Sequence, residues 1–256
     1  MGATVTPVNP KVRYELMYPK EFTEAVARCP VAYVPLGLLE WHGEHLPLGT
    51  DGLKSHAVCV AVAHAAGGGV VLPPFYVGRP GFTSFPGTMT YRHDVVSRML
   101  VGCFEELEKM GFRLIVVLAG HYGRPQQETI AEAVATFSQR SDVKVLALCE
   151  SEAVEHLGYR GDHGGPWETS MTLALLPEVV RLEAFRPGKQ DIPEYQVTPR
   201  PDRYDFELGG FEFTWRQDLR ETVTPEDAHR KLEDVVRELA RRVRELLETV
   251  DGQQGP

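Results

Sequence analysis

Residues 40–51 place three carboxylates, Glu40, Glu44 and Asp51, and two imidazoles, His42 and His45, within twelve positions. Gly43, Pro47 and Gly49 stiffen the loop between them. An apolar run over residues 31–39 precedes this cluster and reads as a buried strand. Charges at a strand end are costly to bury unless they are paired or coordinate a metal. A metal site is therefore the first expectation. Glu40 and His42 lie two residues apart and share a side while the chain stays extended. Asp51 opens a helical pattern, where its alternative role is to cap that helix.

Two further clusters carry the same residue types. One is Gly120-His121-Tyr122-Gly123, at the end of a second apolar run. The other is Gly161-Asp162-His163-Gly164-Gly165-Pro166-Trp167-Glu168. A histidine inside a glycine-rich loop has room to move toward a ligand. Glu168 falls at a helix start, where its ordinary role is to complement the macrodipole. Mixed imidazole and carboxylate ligation suits zinc, manganese or iron, and does not choose among them. Glu44 and His45 are read as supporting or exposed groups.

The elements that must position these residues alternate in type. Residues 31–37, 69–75, 113–120 and 143–149 read as strands buried on both faces. Helical spacing occupies 52–66, 94–110, 126–140 and about 167–176, with Gly111 as a helix-terminating glycine. This order implies an α/β fold, a single three-layer α/β/α domain over residues 1–256 with a mostly parallel central sheet. In such sheets ligands bind beyond the carboxyl ends of the strands, where Glu40, His42 and His121 fall. From 186 to 224 the periodicity fails, and a long loop with a short strand pair at 210–214 is expected. Thr224-Pro225 then caps and opens a last amphipathic helix to about residue 250.

Composition limits the partners. The net charge of −9 opposes non-specific binding to nucleic acid or to an anionic membrane surface. No run reaches the roughly 18 apolar residues of a membrane span, so the chain is read as cytoplasmic; a small-molecule substrate is expected from the clustered site residues. The four cysteines, Cys29, Cys59, Cys103 and Cys149, sit in or beside apolar runs without a C-x-x-C pair and read as buried thiols.

At these clusters the chain resembles the creatininase family of metal-dependent hydrolases. The resemblance covers residues 40–51, the Phe85-Pro-Gly-Thr88 turn, residues 120–123 and residues 163–170. It implies a hexameric α/β protein with two metals. Glu40 and His121 then bind one metal, His42 binds the other, Asp51 bridges both, and His163 transfers a proton. The family's creatininase has a glutamate where this chain has Gly123; Glu168 is the substitute ligand expected here. Two creatinine-holding tryptophans are not reproduced, Tyr159 and the 149–151 region standing in their places. Creatinine is therefore not the expected substrate. Arg79, Tyr122, Tyr159 and Trp167 are expected to line the pocket. The expected activity is hydrolysis of an amide C–N bond or opening of a ring. The alternatives are a ring-opening hydrolase of an oxidised inositol, and a metal-binding or assembly protein without catalysis.

Overall fold

A computed structural model describes residues 11–79, 85, 87–187 and 218–252. The expected strand pair at 210–214 lies outside them. The elements run α1 (Pro19–Arg28), β1 (Val31–Gly37), α2 (Thr50–Ala66), β2 (Val70–Val71), β3 (Phe75–Tyr76), α3 (His93–Lys109), β4 (Leu114–Ala119), α4 (Arg124–Ser138), β5 (Lys144–Cys149), α5 (Glu150–Ala153), α6 (Pro166–Leu175), α7 (Leu219–Thr222) and α8 (Pro225–Gly252).

The strands form a parallel sheet in the order β2-β1-β4-β5, with β3 pairing the carboxyl end of β1. Side chains of β1 and β4 alternate between two cores, as the two-residue strand period requires. Val31, Tyr33, Leu114, Val116 and Leu118 pack with α2, α6 and α8 on one face. Ala32, Val34, Leu36, Ile115, Val117 and Ala119 pack with α1, α3 and α4 on the other. Both strands are buried on both faces, which is why they read as unbroken apolar runs. The three-layer α/β/α expectation is met.

Two local readings are corrected. The strand expected over 69–75 is split into β2 and β3, because Pro73 and Pro74 supply no N–H for a ladder between them. Asp51 does not cap α2. Gly49 is the N-cap, without a side-chain cap, and Asp51 is already helical. The other terminal signals hold. Gly111 follows α3 at φ 93°, and the Phe112 N–H closes back on the Leu107 carbonyl at 3.2 Å. Thr224 Oγ1 accepts from the Asp227 N–H at 3.2 Å, capping α8. Cys29, Cys59 and Cys149 are buried, Cys103 is half-buried, and all four are free thiols. Among the described residues, no helix is long and apolar enough to cross a membrane.

Candidate metal centre

β1 and β4 lie side by side, so the segments that follow them leave from one sheet edge. Glu40 and His42 follow β1, His121 follows β4, and Asp51 sits in the first turn of α2. That first turn is seated between the two strand ends by glycine. A Cβ on Gly37 would fall 2.3 Å from Gly52 N, and one on Gly120 would fall 2.1 Å from Asp51 O. Any side chain at either position pushes Asp51 away from the edge.

The side chains converge. Asp51 Oδ1 lies 3.0 Å from His42 Nε2, and Asp51 Oδ2 lies 3.5 Å from His121 Nδ1. The two oxygens of one carboxylate thus face two different histidines. Glu40 Oε2 is 2.9 Å from His121 Nδ1. Glu168, on α6, brings Oε2 to 3.4 Å from His42 Nε2. Glu40, His42, Asp51, His121 and Glu168 are all at most 5 % exposed. Two ligand triads result, Glu40–Asp51–His121 and His42–Asp51–Glu168. A third grouping, Glu40–His42–His163, overlaps both.

Hydrogen bonds set the ring nitrogens. His42 Nδ1 lies 2.9 Å from the Glu40 carbonyl, which can only accept, so Nδ1 carries the hydrogen and Nε2 presents a lone pair. That lone pair faces carboxylate oxygens, and neither His42 Nε2 nor Asp51 Oδ1 makes a hydrogen bond. Acceptors aimed at acceptors in a buried space fit a cation between them. Protons show the same demand. Burial disfavours the charged form of His42, but the carboxylates of Asp51 and Glu168 prevail and raise its pKa to about 10. Burial likewise opposes charge on His121, and Glu40 and Asp51 raise it to about 9. Burial pushes the Glu168 carboxyl up, against the pull of Lys54 and His42.

His163 stands at the margin. Its Nδ1 is 3.8 Å from Glu40 Oε2, and its ring lies 4.3 Å from that of His42. The surrounding glycines do not leave the ring loose: its Nε2–H donates to the Trp41 carbonyl at 2.7 Å. Burial and the neighbouring His42 hold its pKa well below the usual imidazole value. The Phe85–Thr88 turn braces the same loop. Thr88 Oγ1 accepts from the Trp41 N–H at 3.2 Å, and Phe85 stacks on the Trp41 ring at 4.2 Å. His45 is buried and bonds the Gly164 carbonyl and Thr169 Oγ1, each at 3.0 Å, tying the Glu40–Asp51 loop to the His163 loop.

Gly123 has a steric reason to be glycine. A Cβ there would fall 2.5 Å from His121 Nε2. The imidazole occupies the room that a side chain at position 123 needs, while Glu168 Oε2 comes within 3.4 Å of His42 Nε2.

The residues expected to line a pocket are engaged internally. Trp167 Nε1 donates to Tyr122 Oη at 3.1 Å. Tyr122 Oη also meets Lys54 and Glu150 at short range. Tyr159 Oη donates to Asp234 on α8 at 3.2 Å, and its ring packs 5.3 Å from Trp167. Arg79 is 8 % exposed, and its backbone N–H donates to Gln126 Oε1 at 2.8 Å.

Sequence reading passed over Lys54 and Glu150. Lys54 is fully buried, its Nζ 2.8 Å from Glu150 Oε1 and 2.9 Å from Glu168 Oε1. The signal was present: Lys54 is three residues after Asp51 on the α2 face that continues with Val58 and Val62. A lysine in a buried helical stripe requires an anionic partner. Glu150 gave no comparable signal.

A parallel α/β sheet whose carboxyl edge carries two histidine–carboxylate triads sharing one aspartate has the ligand types and spacing of a two-metal centre. The sequence matches the family described as creatininase, creatinine amidohydrolase, over residues 15–243. The chain belongs to that family. It is 30% identical over 205 residues to the creatinine amidohydrolase of Pseudomonas putida, covering 70% of this chain and 78% of that one. It is 27% identical over 185 residues to the 3-dehydro-scyllo-inosose hydrolase of Thermotoga maritima, covering 67% of this chain and 58% of that protein's length. A solved zinc–zinc form of a creatininase mutant superposes with a TM-score of 0.73 at 28% identity, over 93% of this chain and 98% of that one.

Proposed function

We propose that this hydrolase holds two divalent cations, zinc, manganese or iron, and cleaves an amide C–N bond or opens a ring in a small polar substrate. The observation that carries the reading is the division of Asp51: Oδ1 faces His42 and Oδ2 faces His121. Glu40 and His121 would hold one cation and His42 and Glu168 the other, with Asp51 placed to serve both. Cations so held supply Lewis acidity, which ionises water near neutral pH and polarises a carbonyl.

The chain's own residues do the rest. Buried His42 keeps its hydrogen on Nδ1 through the Glu40 carbonyl, so Nε2 stays a ligand. His163 keeps its hydrogen on Nε2 through the Trp41 carbonyl, which leaves Nδ1 to take a proton near Glu40 and pass it to the leaving group. Its depressed basicity keeps that nitrogen unprotonated at neutral pH. The approach of Glu168 to His42 and Asp51 supplies the carboxylate that Gly123 cannot, and membership of a family of hydrolases speaks against a protein that binds metal without catalysis.

Creatinine is not the substrate in this reading. Tyr159, where the family enzyme has a creatinine-holding tryptophan, is bonded to Asp234 and packed against Trp167. Similarity to an inosose hydrolase keeps ring opening beside amide cleavage as the reaction type. The test is elemental analysis of the purified protein with a hydrolysis panel of creatinine, small formamides, N-acyl amides and cyclic diketones. One to two transition metals per chain and metal-dependent hydrolysis of an amide or a ring are expected. A creatinine turnover above about 10 s⁻¹, the median for enzymes on their own substrates, overturns the substrate assignment. A melting temperature unmoved by added metal overturns the metal assignment, because a ligand of the native state must stabilise it.

A further inference from the structure

His45 is buried and stands outside the ligand groupings, yet it touches the segment that supplies Glu168 and His163. Its own place is fixed: its carbonyl accepts the Arg181 N–H at 2.9 Å, and the Phe185 ring stands edge-on to the imidazole at 5.0 Å. Nε2 lies 3.0 Å from the Gly164 carbonyl and 3.0 Å from Thr169 Oγ1. A carbonyl can only accept, so the hydrogen sits on Nε2 and is donated. Gly164 in turn donates its N–H to Glu168 Oε2 at 2.7 Å, the oxygen that faces His42 Nε2 at 3.4 Å. Gly164 thus meets His45 through its carbonyl and Glu168 through its N–H, and Thr169 is the residue after Glu168. The backbone at Gly164 has φ 56°, a left-handed conformation that no helix or strand ladder maintains. Asp162 holds a different part of this segment, accepting the N–H groups of Gly165, Trp167 and Glu168. The start of α6 is therefore anchored without His45, and the Gly164 carbonyl is the group that His45 holds.

We propose that His45 is a positioning residue, which holds the Gly164 carbonyl and thereby keeps Glu168 Oε2 aimed at His42. His45 and His42 belong to one loop, so the ligand and the group that aims its partner move together. His163 directly precedes Gly164, and its Nε2–H is bound to the Trp41 carbonyl of that same loop. The two loops are thus joined on both sides of the 163–164 peptide. The inference rests on the two-metal reading above and adds the residue that orients one of its ligands.

The experiment is calorimetric titration of the metal-free full-length protein with Mn²⁺ alone, with the wild type expected to take two ions per chain. His45→Leu removes the donor and keeps an apolar side chain in the buried space. It should weaken one of the two binding steps about 10- to 100-fold, the usual effect of removing a group that orients a metal ligand. His45→Gln, whose Nε2–H can reach the same carbonyl, should restore that step. His45→Asn, whose shorter side chain falls short of the carbonyl, should behave as His45→Leu does and serves if the apolar variant fails to fold. Glu168→Gln should weaken the same step, and adding His45→Leu to it should cause little further loss, because residues acting through one contact are not additive. Wild-type affinity for two ions in both His45→Leu and His45→Asn overturns the positioning role and leaves the two-metal reading intact. So do additive losses in the double variant, or a His45→Gln protein no better than His45→Asn. A single Mn²⁺ per chain in the wild type overturns the two-metal reading and the inference with it.

Discussion

The Nδ1–H of His42 donates to the carbonyl of Glu40, two residues earlier, at 2.9 Å. One candidate ligand's backbone thereby sets the tautomer of another's ring, and Nε2 is turned toward Asp51 and Glu168.

In the two-metal reading proposed above, both ions depend on Asp51. Asp51→Ala should lose both ions, not one, since its two oxygens serve different histidines. Metal content by plasma mass spectrometry after dialysis reads this directly. Retention of two ions at wild-type affinity would show that Asp51 does not bridge.

His163 lies 3.8 Å from Glu40 and is anchored through the Trp41 carbonyl, outside the two triads that share Asp51. His163→Ala should keep the full metal content and lose about 10²-fold or more in turnover, the usual contribution of a proton-transfer group. Stripping of metal by this substitution would make His163 a ligand.

Gly120 has no side chain to offer a ligand, yet a Cβ there would fall 2.1 Å from Asp51 O. Gly120→Ala should displace the first turn of α2 and weaken both metal sites together. Unchanged metal affinity would mean that the strand end yields to the new methyl group and Asp51 stays in place.

Buried His45 has its pKa lowered to about 4, with desolvation as the main cause. The unfolded chain then takes up a proton between pH 6.5 and about 4 that the folded chain refuses, so ν_U exceeds ν_N and stability rises with pH across that window. The contribution is fully present above pH 6.5 and is lost as pH falls through about 4. His45→Gln should show a shallower loss of denaturant stability over this range than the wild type. Parallel curves would mean that His45 titrates alike in both states.

Much of the centre was legible in the sequence because its ligands follow apolar runs of unmistakable period. β1 and β4 are buried on both faces, so their composition announces them, and Glu40, His42 and His121 follow directly from their ends. Gly111 and Thr224 marked helix ends for equally local reasons. Sequence composition also determined what the centre could bind, since imidazoles and carboxylates in one loop have few other uses.

What the tertiary structure alone decided depends on distances across the chain. Glu168 could have served only the macrodipole of α6; folding brings it within 3.4 Å of His42. Gly123 read as a missing ligand, and packing shows that the His121 ring fills its space. The break between β2 and β3 was signalled by two prolines, but β3's place beside the end of β1 was not. Lys54 and Glu150 are far apart in sequence and meet only when α2 packs on the sheet. A one-dimensional pattern records which face of an element is apolar; which charges share a buried space is set by the order of the strands.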